Sequence, residues 1–99
     1  MCLCSVLFLP TVVIAGAAPD SERSGEAVFN QACFACHGTG LNGAPVVGDA
    51  YDWQERLEKG GSVLLENTLQ GMNNMPPRGA CTDCSDAEIA AAVQYLTNH

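Results

Sequence analysis

The five residues Cys33-Phe34-Ala35-Cys36-His37 constrain this chain more than any other stretch. Ahead of them Val28, Phe29 and Ala32 recur at helical spacing with Cys33 and Cys36, which predicts an amphipathic helix of roughly 10–12 residues from Glu26. Gly38 and Gly40 stop it just after His37. On a helical turn, positions i, i+3 and i+4 share one face, so two thiols and an imidazole stand side by side. Whatever fold the chain adopts must place something against that face.

The rest of the chain is too short to ignore this demand. Residues 1–18 contain no charged side chain and end in Ala15-Gly16-Ala17, the small-residue pattern of a cleaved secretory signal. The expected division is a signal over residues 1–17 and a single domain over 18–99. The alternative is an uncleaved apolar anchor, since eighteen helical residues span roughly 27 Å, barely a bilayer core. A basic leader, usual in a signal, is missing before Arg23. A domain of about 80 residues buries only somewhat more than 60% of its unfolded surface, so it needs a staple.

All eleven acidic and four basic side chains lie in that domain, giving a formal charge of −7. Phosphate would be repelled, which argues against nucleic acid as a partner. The charge suits partners met through basic patches, and equally suits mere solubility.

Leu41 to Gly48 reads as a Gly/Pro loop with no strand pattern. Asp49 can cap a helix from Ala50 to Lys59 whose inward face is Tyr51 or Trp53 with Leu57. Ser62 can cap another from Val63 to Gln70, and Met72 to Ala80 is too rich in proline and glycine for regular structure. Ser85 with Glu88 forms a capping box that opens a last helix with Ile89, Ala92, Val93 and Leu96 buried. The expected fold is all-α, four to five short helices with long loops, and loops of that length need something to wrap.

Cys-x-x-Cys-His is the attachment motif of c-type haem, in which two thiols add across the vinyl groups and the imidazole lies under the iron. Other readings are a structural disulfide with an incidental histidine, a redox-active pair, or a Cys₄ zinc site formed with Cys81 and Cys84. The zinc site would span a 44-residue gap between pairs, against the ~15–20 of a zinc ribbon. It would also leave His37 unexplained. A second axial ligand is sought among Met72, Met75 and His99. Met75 is the choice, because Pro76-Pro77 fixes the loop that presents it. His37 should give its other ring hydrogen to a nearby carbonyl, for which Pro45 is the natural acceptor. Trp53 and Arg56 are candidates to bond the haem propionates.

In order, "CFACHGTG", "GAPVVGD", Trp53, "MPPRGACTDCSDAEI" and "AAVQYL" resemble a class I c-type cytochrome, most of all the small bacterial cytochrome c-five group. The likeness runs from about Gly25 to Leu96. It implies a cytochrome c fold around one covalent haem c, with thioethers at Cys33 and Cys36 and iron ligation by His37 and Met75. It implies a disulfide between Cys81 and Cys84, pinning the Met75 loop to the last helix. It implies too that Gly25 and Phe29 pack against Tyr95 and Leu96. The function implied is one-electron carriage between redox partner proteins in a bacterial respiratory or related chain, not catalysis. The chain would be periplasmic, with membrane association through the N-terminal segment if that stays uncleaved. The competing functions are a cysteine-stapled exported binding domain without haem, and a haem sensor whose methionine dissociates.

Overall fold

The computed structural model describes residues 22–98. The expected leader over residues 1–17 and the terminal His99 lie outside the described residues. Within them the chain is all-α, with two isolated 3₁₀ turns and no strand beyond a single bridge between Met72 and Met75.

Ser24 caps the N-terminal helix by accepting the Ala27 amide at 3.1 Å. This helix, residues 25–37, is α-helical over Gly25–Val28, π-helical over Phe29–Cys33 and α-helical again over Phe34–His37. In its middle the Phe34 amide donates to the Phe29 carbonyl, five residues back. That widened turn ends on the first cysteine of the Cys-x-x-Cys-His stretch, and such segments often accompany functional sites. Periodicity over so short a run cannot separate a π turn from an α turn.

The second helix, Ala50–Leu57, starts where expected, with Asp49 Oδ1 accepting the Asp52 amide at 3.1 Å. It ends before Lys59, because the Lys59 and Gly60 amides turn back to the Arg56 and Leu57 carbonyls at 3.1 Å each. Trp53 is its buried residue, whereas Tyr51 is 87% exposed. The third helix, Gly61–Gln70, corrects the sequence reading of its start. Gly60 rather than Ser62 holds the cap position, with no side-chain cap, and the Leu64 amide closes the first turn on the Gly60 carbonyl. The C-terminal helix, Asp86–Thr97, has the complete capping box, Ser85 N–H to Glu88 at 2.9 Å and Glu88 N–H to Ser85 at 3.1 Å.

The N- and C-terminal helices cross closely, though not in the expected register. A Cβ on Gly25 would lie 2.2 Å from the Ala91 carbonyl oxygen, so Gly25 faces Ala91 and Ala92 rather than Tyr95 and Leu96. Phe29, one turn along, takes those partners, with its ring 5.3 Å from that of Tyr95 and its side chain against Leu96. Val28 and Ile89 are almost wholly buried in an adjoining cluster with Ala92, Cys81 and Cys84. Each contributes about 1.5–3 kcal/mol by leaving water.

A charged clasp lies at one end of this crossing. Arg23 donates to Glu88 from its backbone at 2.8 Å and from Nε at 2.7 Å. With the Arg23 guanidinium and the Ser85 amide both bonded to it, the Glu88 carboxyl is held down at about 2.

Candidate haem site

Between the helices lies a cavity of about 510 Å³, within the ~300–1,000 Å³ of ordinary cofactor pockets. Its walls bring together most residues singled out from sequence. Cys33, Cys36 and His37 line it from the N-terminal helix, and Met72 and Met75 from the loop after the third helix. Leu96, Ala92 and Ile89 supply an apolar wall from the C-terminal helix, and Trp53 and Arg56 one from the second.

His37 is buried, and its Nδ1 lies 2.8 Å from the Pro45 carbonyl oxygen. A carbonyl only accepts, so Nδ1 carries a hydrogen, and in the neutral ring Nε2 then keeps the lone pair a metal needs. The Val47 amide donates to the His37 backbone carbonyl at 2.7 Å, tying the same loop down again. Burial pushes the Cys33 thiol up, and the neighbouring Cys36 adds to the effect. A thioether at this position has no proton to lose, so the same burial suits it well.

On the far side, Met72 and Met75 form a tight hairpin, each amide bonded to the other's carbonyl at 3.1 and 2.9 Å. Gly71 makes the entry to it at a φ of 85°, where a Cβ would also stand 2.8 Å from the Pro77 nitrogen. The chain then passes through left-handed conformations at Arg78, Gly79 and Ala80. Arg78 braces this segment, donating to Asp86 and to the Cys84 carbonyl at 2.6 Å each. No local sequence pattern announces this brace, since its partners lie six and eight residues along the chain. The Cys81 and Cys84 sulfurs are in contact, with Cα atoms 5.5 Å apart, a separation disulfides span readily.

Two expectations change. The Trp53 indole donates to the Val46 carbonyl at 2.9 Å, so its one hydrogen holds the loop after His37 instead of reaching a propionate. The Cys₄ zinc reading fails on grouping. Among the described residues Cys81 and Cys84 gather with Asp83, without Cys33 or Cys36.

Two thiols, an imidazole with a free Nε2 and a thioether loop facing one largely apolar cavity define a protein built to hold haem covalently. The comparisons with known proteins agree. The family model described as cytochrome c oxidase, cbb3-type, subunit III matches residues 20–96. Cytochrome c5 of Azotobacter vinelandii is 51% identical over 77 residues, covering 76% of this chain and 93% of that protein. Cytochrome c5 of Ectopseudomonas mendocina is 40% identical over 85 residues, covering 84% and 98%. Among solved structures, the mono-haem ferrocytochrome c of Shewanella putrefaciens superposes with a TM-score of 0.69 at 41% identity, covering 76% of this chain and 93% of that one. A cytochrome c crystallised in an electron-transfer complex with nitrite reductase gives 0.70 at 40% identity, covering 74% and 89%. The chain belongs to the class I c-type cytochromes, close to the cytochrome c5 group. It is an electron-transfer protein that binds one covalent haem c, not an enzyme.

Proposed function

We propose that Cys33 and Cys36 would hold the haem through thioethers, that His37 and Met75 would supply its two protein ligands, and that the protein shuttles single electrons in a bacterial respiratory or related chain. The carrying observation is the Nδ1 bond of His37 to Pro45, which leaves Nε2 free in the cavity that both thiols and the methionine hairpin line. The bound haem supplies a ferric/ferrous couple. Met75, a soft thioether, favours the ferrous state and raises the potential above that of bis-histidine ligation. Pro76, the Met72 hairpin and the Arg78 brace hold Met75, and a Cys81–Cys84 disulfide stiffens the same segment. Arg56, at the cavity wall, would be placed to bond a propionate.

Partners are redox proteins with basic docking patches. A neighbour of similar fold was solved in a complex with nitrite reductase. The charge of −7 favours basic surfaces. Of the four cations, Arg23 and Arg78 are already paired with acids, which leaves Arg56 and Lys59 against eleven carboxylates. The protein acts in the periplasm after export, released by cleavage after residue 17 or held by that segment. No helix among the described residues is long and apolar enough to cross a membrane.

Absorption spectroscopy of periplasmically expressed protein tests the reading. A Soret band is expected, with the weak long-wavelength band of methionine-ligated ferric haem, and Met75→Ala should abolish that weak band. Its loss in Met72→Ala instead would reassign the ligand. Ready carbon monoxide binding by the reduced form would sink the six-coordinate carrier in favour of a sensor.

A further inference from the structure

We propose that Asp52 and Trp53 are positioning residues for the His37 imidazole, gripping the Pro45–Val47 loop and thereby setting the reduction potential. The inference rests on the ligand reading above and deepens it. Pro45 has no N–H and a restricted φ, so the direction of its carbonyl is decided by the plane of the peptide joining it to Val46. One end of that plane accepts the His37 Nδ1 hydrogen at 2.8 Å. The other end, the Val46 N–H, donates to Asp52 Oδ2 at 3.4 Å. The next carbonyl, that of Val46, takes the Trp53 indole hydrogen at 2.9 Å. The Trp53 ring also lies near-parallel to the His37 ring, at 28° with centroids 6.0 Å apart. The second helix therefore holds the loop from one side while His37 holds it from the other.

The chemistry has a sign. A carboxylate accepting the N–H of a peptide polarises the carbonyl at the far end of that peptide and makes it a stronger acceptor. A stronger acceptor at Nδ1 makes Nε2 more basic, and a more basic ligand favours the more oxidised metal. Asp52 therefore holds the potential down by polarising that peptide, and Trp53, whose bond falls on the next peptide, does so by keeping the Pro45 carbonyl within reach of Nδ1, both against the upward pull of the methionine.

The test uses the haem-loaded protein. Trp53→Phe keeps a ring over His37 and deletes only the donor, while Asp52→Asn keeps shape and an acceptor oxygen but removes the charge. In both, redox titration should show a higher potential with the methionine band retained. In Trp53→Phe the His37 ring N–H, followed by NMR, should exchange about tenfold faster, the ratio one buried hydrogen bond commands. Unmoved potential and exchange in both variants overturn the proposal. Should Trp53→Phe not hold haem, the wild-type indole N–H decides. Slow exchange in both oxidation states supports the bond to Val46, and exchange as fast as an exposed indole's overturns it. Absence of a Soret band in the wild type removes the ligand reading and this one together, whereas an intact spectrum with unmoved potential removes this one alone.

Discussion

Glu88 shows how much a single residue can carry beyond its local pattern. Its place three residues after Ser85 marks a capping box, and that bond forms. Nothing local announces Arg23, 65 residues away, whose guanidinium and amide both reach the same carboxylate. The carboxyl falls from 4.5 to about 2 on folding. A folded value below the unfolded one stabilises the protein fully above pH about 4.5, and that contribution is lost as pH falls toward 2. Arg23→Ala should therefore move the acid-unfolding midpoint to higher pH while leaving stability near pH 7 reduced by a pH-independent amount. Far-UV circular dichroism across an acid titration reads this, and a midpoint unchanged from wild type would remove the clasp from the account. Trp53 taught the same lesson in the other direction. Its burial was legible as one of two options, but the direction of its indole depended on a carbonyl seven residues back in a loop without periodicity.

At the scale of elements, the crossing of the N- and C-terminal helices depends on Gly25. Placing alanine for glycine in a helix ordinarily gains up to about 1 kcal/mol. Here the new Cβ would press on the Ala91 backbone at 2.2 Å, and backbone cannot swing aside as a side chain does. Gly25→Ala should destabilise by about 1–3 kcal/mol, lowering the thermal midpoint by at least ~4 °C in a domain this small. Gly61→Ala is the control, because nothing lies within 4 Å of its added Cβ and the φ there is ordinary. It should be neutral or stabilising by up to about 1 kcal/mol. Equal effects of the two, measured by calorimetry, would mean that the close crossing is not what Gly25 serves. The helices themselves were largely legible, since Asp49 and Ser85 are strong caps and act as such. The start at Gly60-Gly61 was not, because glycines carry no side-chain signal and Ser62 offered a false one.

For the molecule as a whole, the cavity explains the thin core. Among the described residues few side chains are buried, and half of those, His37, Trp53, Ile89, Ala92 and Leu96, line the space of about 510 Å³ that the haem is to fill. A domain of about 80 residues has little stability to spare even when fully packed. Cys33→Ala with Cys36→Ala should then yield a chain with clearly reduced helicity and rapid proteolysis, since no thioether retains the group that completes the core. A double variant as helical and protease-resistant as wild type would show that the helices stand without it.

The sequence by itself pointed to covalent haem, because two thiols and an imidazole stand at one fixed spacing within a single helical turn. It also determined the all-α class, through caps and apolar periodicity that act over four residues or fewer. Only the tertiary structure decided what those residues face. The register of the helix crossing, the clasp of Arg23 on Glu88, the Arg78 brace and the grip of Asp52 and Trp53 on the loop after His37 join groups whose approach depends on the whole backbone. Hydrogen bonds and close packing are sensitive to tenths of an ångström, and no local pattern carries distance across a fold.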